Sequence, residues 1–343
     1  MIVRSWREDA RDGGERRVII VDPFYIGSAW RDAAFARAAR AAWQAGGFDL
    51  VQSHERIPGC AIYRAGDGVH AEWLEIRRAA APPLERLGLA LNLYHRYVCA
   101  AERRMFGHPG LRAVICNSAM VRGEIERRFG VARDKLHVIY NGVDLEHFHP
   151  RERASRRAQA RAELGLGERD ALFLFVGSGF WRKGLDAALG ALGASGEASL
   201  RLAVVGEDRQ RAHYAAQVDA AGLGGRVYLL GGRDDVRPLY AAADCFLLPT
   251  RYDPFPSAAL EALAMGLPVI VGRRSGAAEI VREGESGWTC DPDNAAALAR
   301  LLREAAPRSR DNRMQAAARA AAEDYGLEKM VAKLTQLYAA LIA

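Results

Sequence analysis

The 343-residue chain is long enough, at ~150 residues per domain, for two domains with their own cores, and half its residues are hydrophobic. A small disulfide scaffold and a disordered tail are both excluded. Basic residues exceed acidic ones by a formal charge of +6, and only Lys135, Lys183, Lys329 and Lys333 are lysines. That balance permits anionic partners without choosing among membrane, nucleic acid and phosphorylated small molecules.

In chain order, the first half carries short β-rich runs at Arg17 to Val21, Asp49 to Gln52, Ala113 to Cys116 and Leu136 to Tyr140, separated by stretches with helical spacing. The second half repeats the alternation at Leu172 to Val176, Arg201 to Val205, Val227 to Leu230, Cys245 to Leu248 and Pro268 to Val271. Continuous apolar strands between helices predict α/β domains with parallel sheets covered on both faces. The Arg, Ala and Glu-rich stretch from Arg151 to Asp170 marks a boundary, giving domains 1–150 and 151–343 that face one cleft. Cys60, Cys99, Cys116, Cys245 and Cys290 are widely spaced and form no C-x-x-C pair, which fits a reducing cytoplasm. No apolar run approaches the ~18 residues of a membrane span, so membrane contact is expected to be peripheral.

Ligands in such sheets sit beyond the C-terminal ends of strands, so motifs that follow strands carry the most weight. Val176-Gly177-Ser178-Gly179-Phe180-Trp181-Arg182-Lys183-Gly184 is a glycine-rich turn leaving a strand and entering a helix with two adjacent cations. Glycines admit an anion close to the backbone, a helix start offers N–H groups, and Arg182 with Lys183 neutralises phosphate charge. A diphosphate fits; a tight turn with solvated cations is the alternative. The second motif, Tyr252-Asp253-Pro254-Phe255-Pro256-Ser257-Ala258-Ala259-Leu260-Glu261, places Asp253 before a helix and Glu261 inside it. Two such carboxylates can flank a polyhydroxylated ligand, with helix-start N–H groups at Ser257 and Ala258 between them. The alternative is a helix cap at Asp253 or Ser257 and an ordinary charged position at Glu261.

Together these motifs, with Gly231-Gly232-Arg233-Asp234-Asp235-Val236, Leu239 to Asp244, and Glu261-Ala262-Leu263-Ala264-Met265-Gly266-Leu267-Pro268-Val269-Ile270, resemble the GT-B glycosyltransferases of family four. That resemblance implies two Rossmann-like, doubly wound parallel-sheet domains and a nucleotide-sugar donor, UDP-glucose first, with no further cofactor and no metal. It implies a donor set of Gly177, Arg182, Lys183, Arg233, Phe255, Ser257, Ala258 and Glu261. Within it Lys183 and Arg182 meet the diphosphate, Glu261 the ribose, Asp253 the donor sugar and the Arg233 loop the base. The family's E-x7-E pattern starts here with Asp253, a shorter acid, and its V-G-R stands as Val176-Gly177-Ser178.

The first half resembles, more narrowly, the lipopolysaccharide core glucosyltransferases at Ile57-Pro58-Gly59, Tyr63 to Glu72, Tyr94 to Phe106, Ile115-Cys116-Asn117-Ser118 and Val138 to Asp144. This implies a lipopolysaccharide core or other lipid-linked glycan as acceptor, with His54 and Asp67 as candidates to position its hydroxyl or take its proton. A structural histidine and a Gly-Asp-Gly turn are the plain alternatives. Retaining transfer in the family is viewed as front-face attack, the leaving diphosphate helping to take the acceptor proton, while the protein aligns and stabilises charge. The basic, aromatic segment from Glu72 to Phe106 is expected to lie on an anionic inner leaflet or to form ordinary domain helices.

Family members open with a strand, a glycine loop and a helix, whereas Met1 to Trp6 resembles their second strand, so the first βα unit is expected to be missing and the N-terminal domain incomplete. The pair Gly13-Gly14 is no evident substitute. Transfer by these 343 residues is therefore expected to be weakened while the nucleotide site survives. The competing class is a nucleotide-sugar-binding or membrane-associated protein without turnover. A nucleic-acid binder ranks last, because the arginines are spread along the chain.

Overall fold

The run Ala171-Leu172-Phe173-Leu174-Phe175-Val176 forms a strand over Ala171–Val176 that is buried along nearly its whole length. A strand apolar on both faces needs helices above and below it and partners on both edges. In the computed structural model, which describes residues 1–5 and 17–342, it lies inside a six-stranded sheet. The strand order is Gly287–Cys290, Val269–Gly272, Cys245–Leu248, Ala171–Val176, Leu200–Val205 and Val227–Gly231, and every neighbouring pair is parallel. The chain winds outward through Leu200–Val205 to the Val227–Gly231 edge, then returns to the other flank at Cys245–Leu248 and winds outward again. At that reversal the loops after Val176 and Leu248 leave the C-terminal ends of two adjacent strands, the place where sheets of this kind take ligands.

The helix Pro150–Glu163 is strongly polar yet packs on the helix Arg237–Ala242, and a stripe of arginines four residues apart, Arg153, Arg157 and Arg161, reaches the carbonyls at the end of that helix. Arg157 and Arg161 reach Asp244, which also accepts from Arg310 and, at 2.8 Å, from the Leu172 N–H. Burial pushes the Asp244 carboxyl up, but Arg157, Arg310 and that N–H together hold it below its ordinary value. A buried carboxylate is tolerated because each oxygen is paired.

The chain divides into two units: residues 118–120 and 140–333 form this one, and 1–117, 121–139 and 334–343 form the other. The division thus falls ahead of the expected 150/151. Pro150–Glu163 packs on the second unit's own helix Arg237–Ala242, and the last residues of the helix Leu327–Ile342 return to the first unit. In the first unit Gln52–Ser53, Ile62–Ala65, Ala113–Cys116 and Leu136–Val138 make a parallel four-stranded sheet, while Ile2–Val3 pairs with Ile19–Ile20 in a separate one. Two strands had no counterpart in the sequence runs. Ile62–Ala65 is interrupted by Arg64, and Gly287–Cys290 opens with glycine. Trp6 and the Gly13-Gly14 pair lie outside the described residues.

Candidate active site

The glycine-rich turn follows the central strand as expected, but the helix it enters is only Phe180–Lys183. Gly179 and Gly184 bracket it at φ 74° and 81°, and a Cβ on Gly184 would collide with the Pro249 carbonyl oxygen. The left-handed glycine therefore lets this turn touch the loop after Cys245–Leu248. Arg182 and Lys183 sit at the C-terminal end of the short helix. At its start one expectation is corrected. The Phe180 N–H donates to Asp208 Oδ2 at 2.7 Å and is not free for a phosphate.

The two motifs are interlocked. The Arg182 carbonyl accepts from the Arg251 N–H at 2.9 Å and from Thr250 Oγ1 at 2.8 Å, and Arg182 Nη1 donates back to the Tyr252 carbonyl at 3.1 Å. The Lys183 ammonium pairs with Asp253 Oδ2, which lies 3.5 Å from Arg182 Nη1. Arg251 adds a clasp: it donates to both Asp186 oxygens at 2.8 and 2.9 Å and to the Trp181 carbonyl at 2.9 Å, and its guanidinium lies over the Trp181 ring. Lys183 and Asp253 are held before any ligand arrives, which reduces the ordering cost of binding.

Downstream, the helix Ser257–Ala264 starts after Pro256 with no capping side chain, leaving the Ser257 and Ala258 end open to an anion. Phe255 is buried, its ring against Tyr140 and its carbonyl accepting from Asn141 at 3.3 Å. Glu261 Oε2 accepts from the fully buried Tyr240 hydroxyl at 2.9 Å. Burial pushes the Glu261 carboxyl up, against the smaller lowering effects of that hydrogen bond and of His147. Arg233 is exposed on the loop after Val227–Gly231, and this loop is anchored where the Gly232 N–H donates to Glu207 Oε1 at 2.8 Å. Gly177 lies against the Lys183 side chain, where a Cβ would come within 3.3 Å of Cε.

In the first unit, His54 and Asp67 both line a cavity of about 800 Å³, together with Glu55, Arg56, Tyr94 and Tyr97. His54 follows Gln52–Ser53, with Nε2 3.1 Å from the Gln52 amide nitrogen. Burial and the Arg64 charge lower its pKa, favouring the neutral imidazole. Asp67 is 82% exposed in the Gly66–Gly68 turn, 3.9 Å from Arg56 Nη1. Sequence reasoning missed Tyr240, Arg251, Glu207 and Asp208. The last two directly follow Gly206 at a strand end, the position that general rules single out.

Known proteins share the family and the fold. The profile described as glycosyl transferases group 1 matches residues 156–323, and that of glycosyltransferase family 4 matches 1–147. The lipopolysaccharide glucosyltransferase WaaG of Escherichia coli (strain K12) is 27% identical over 266 residues, 76% of this chain and 69% of that protein. A D-inositol 3-phosphate glycosyltransferase of Streptomyces scabiei (strain 87.22) is 28% identical over 333 residues, 90% of this chain and 72% of its own. A crystal structure of WaaG, a glycosyltransferase involved in lipopolysaccharide biosynthesis, superposes with TM-score 0.81 at 24% identity, covering 98% of this chain and 90% of that one. The chain belongs to the GT-B glycosyltransferases of family four, in the neighbourhood of WaaG.

Proposed function

We propose that this glycosyltransferase moves a hexose, glucose first, from UDP-glucose onto a lipopolysaccharide core or related lipid-linked glycan, with retention and without metal. The observation that carries the reading is the pair of loops interlocked at the winding reversal. There a cation pair, Arg182 and Lys183, is bonded to the loop that leads into the open helix start at Ser257 and on to Glu261. In this reading the cations take the diphosphate, the Ser257 and Ala258 N–H groups support its charge, Glu261 accepts from the ribose hydroxyls and the Arg233 loop meets the base. His54 or Asp67 positions the acceptor hydroxyl, and fixed positive charge stabilises the departing diphosphate.

Four exposed leucines support work at an anionic membrane surface. Leu84, Leu87, Leu91 and Leu93 are 82%, 57%, 61% and 72% exposed, on and just after the helix Pro83–Leu91, close in sequence to Arg86 and Arg96. Among the described residues no helix is long and apolar enough to cross a membrane.

The test is a panel of UDP-, GDP- and ADP-glucose read by thermal shift and by slow release of free nucleotide. Stabilisation by the UDP sugar alone, with hydrolysis, abolished in Glu261→Ala, is the expected result. Equal response to all three nucleotides defeats the donor assignment, and saturable binding without product defeats the enzyme reading in favour of a binding module. Proton NMR of the product anomer and assay in EDTA check retention and metal independence.

A further inference from the structure

The acid at position 253 is one methylene shorter than the glutamate of the family pattern, and its carboxylate is turned onto cations. Its Oδ2 is shared by the Lys183 ammonium and, at 3.5 Å, Arg182 Nη1, and the Asp253 and Lys183 side chains are only 6% and 12% exposed. The backbone beneath it is fixed on both sides. The Asp253 N–H donates to the Arg274 carbonyl at 3.0 Å, its carbonyl accepts from the Gly276 N–H at 2.9 Å, and the residue bridges to Ser275. Swinging the carboxylate outward to a hexose would break the Lys183 pair, and the anchored backbone cannot shift to bring the short side chain closer.

We propose that Asp253 is the counter-ion of the diphosphate-binding cations and not a ligand of the donor sugar. It acts through Lys183 and Arg182, competing with the diphosphate for them. This rests on the reading of the turn as a nucleotide-diphosphate site. The charge argument is direct. A diphosphate drawn to the same two cations lies within a few ångströms of the Asp253 carboxylate, and like charges at that range oppose each other. The repulsion offsets part of the attraction, so the site grips nucleotide less tightly than its cations alone allow. It also favours release of the nucleoside diphosphate that transfer leaves behind.

The experiment is calorimetric titration of the full chain with UDP and with UDP-glucose, for the wild type, Asp253→Asn, Asp253→Ala, the charge-retaining Asp253→Glu, Lys183→Gln and the Asp253→Asn/Lys183→Gln double variant. Both neutral variants are expected to bind UDP about three- to tenfold tighter, with the same factor for UDP-glucose. The charge-retaining variant should show no such gain, and the gain should shrink in the Lys183→Gln background. Unchanged UDP affinity with weakened UDP-glucose binding would identify Asp253 as a sugar ligand and overturn the proposal. So would equal weakening of both ligands in a variant whose melting temperature is intact. Asp253→Ala keeps the test open if Asp253→Asn does not fold. Absence of UDP binding by the wild type refutes the nucleotide site itself, an outcome separate from any pattern among the variants.

Discussion

Replacing Tyr240 by Phe removes one oxygen atom and tests how Glu261 is kept ready for the ribose proposed as its ligand. The Tyr240 hydroxyl lies 2.9 Å from Glu261 Oε2 and 3.0 Å from the Ala258 carbonyl. It has one proton to give, and the charged acceptor gains more from it. Hydrogen bonds to charged groups contribute about 1.5–3 kcal/mol, so the ionised form of Glu261 loses about that much in the variant. Its pKa is already raised by burial, with the Tyr240 hydrogen bond opposing; without that bond it rises further. Only the ionised form accepts two hydroxyls, so donor affinity should be present above this pKa and fall as pH drops through it. In Tyr240→Phe the fall should begin at higher pH, with the dissociation constant at the acid end larger by about 10- to 100-fold. Titration with UDP-glucose between about pH 5 and 8 reads this without interference from the ligand, because the bridging diphosphate carries no ionisation of its own there. An inflection at the same or lower pH in the variant would refute the claim that Tyr240 stabilises the carboxylate.

Three further outcomes follow from contacts already described. Asp244→Asn should destabilise the second unit by about 1–3 kcal/mol, because the Leu172 N–H and three partly exposed guanidinium groups lose the charge they pair with. Since the folded Asp244 pKa is depressed, its stabilisation is present above the unfolded carboxyl pKa and lost as pH falls through the folded one. Urea unfolding at neutral and acid pH should therefore show the gap between wild type and variant closing in acid. Arg251→Lys loses the paired bonds to Asp186 and the stacking on Trp181, and should raise the donor KM several-fold with a smaller change in kcat. Changing Leu84, Leu87, Leu91 and Leu93 together to Ser should reduce co-sedimentation with anionic vesicles by about tenfold or more and leave the melting temperature unchanged.

The parts of the fold that sequence reasoning located are those where one physical signal dominates. Ala113–Cys116 and Cys245–Leu248 are uninterrupted apolar runs and lie where the pattern puts them. Strands whose burial depends on tertiary neighbours escaped: nothing local marks Gly287-Trp288-Thr289-Cys290 as a strand, yet it completes the sheet beside Val269–Gly272. The site divides the same way. Arg182, Lys183 and Glu261 stand out as charges after strands, whereas the Tyr240 hydroxyl meets Glu261 across 21 positions of sequence and reads locally as one more apolar helix residue. The Asp208 bond to the Phe180 N–H joins two different strand ends and is likewise invisible until the sheet brings them together. The arginine-rich helix that starts at 150 reads as a solvated linker because its partner, the buried Asp244, is remote in sequence.

The winding order of the second unit makes its recognition surface separable. The phosphate turn and the acid loop are stitched across neighbouring central strands, so a change in either disturbs the other. The Arg233 loop instead hangs from the outermost strand, tied back at Gly232 by a single glutamate. Exchanging that loop between relatives is a graft onto a rim; if the loop meets the base as proposed, it offers evolution a way to change which nucleobase is read without rebuilding the grip beneath.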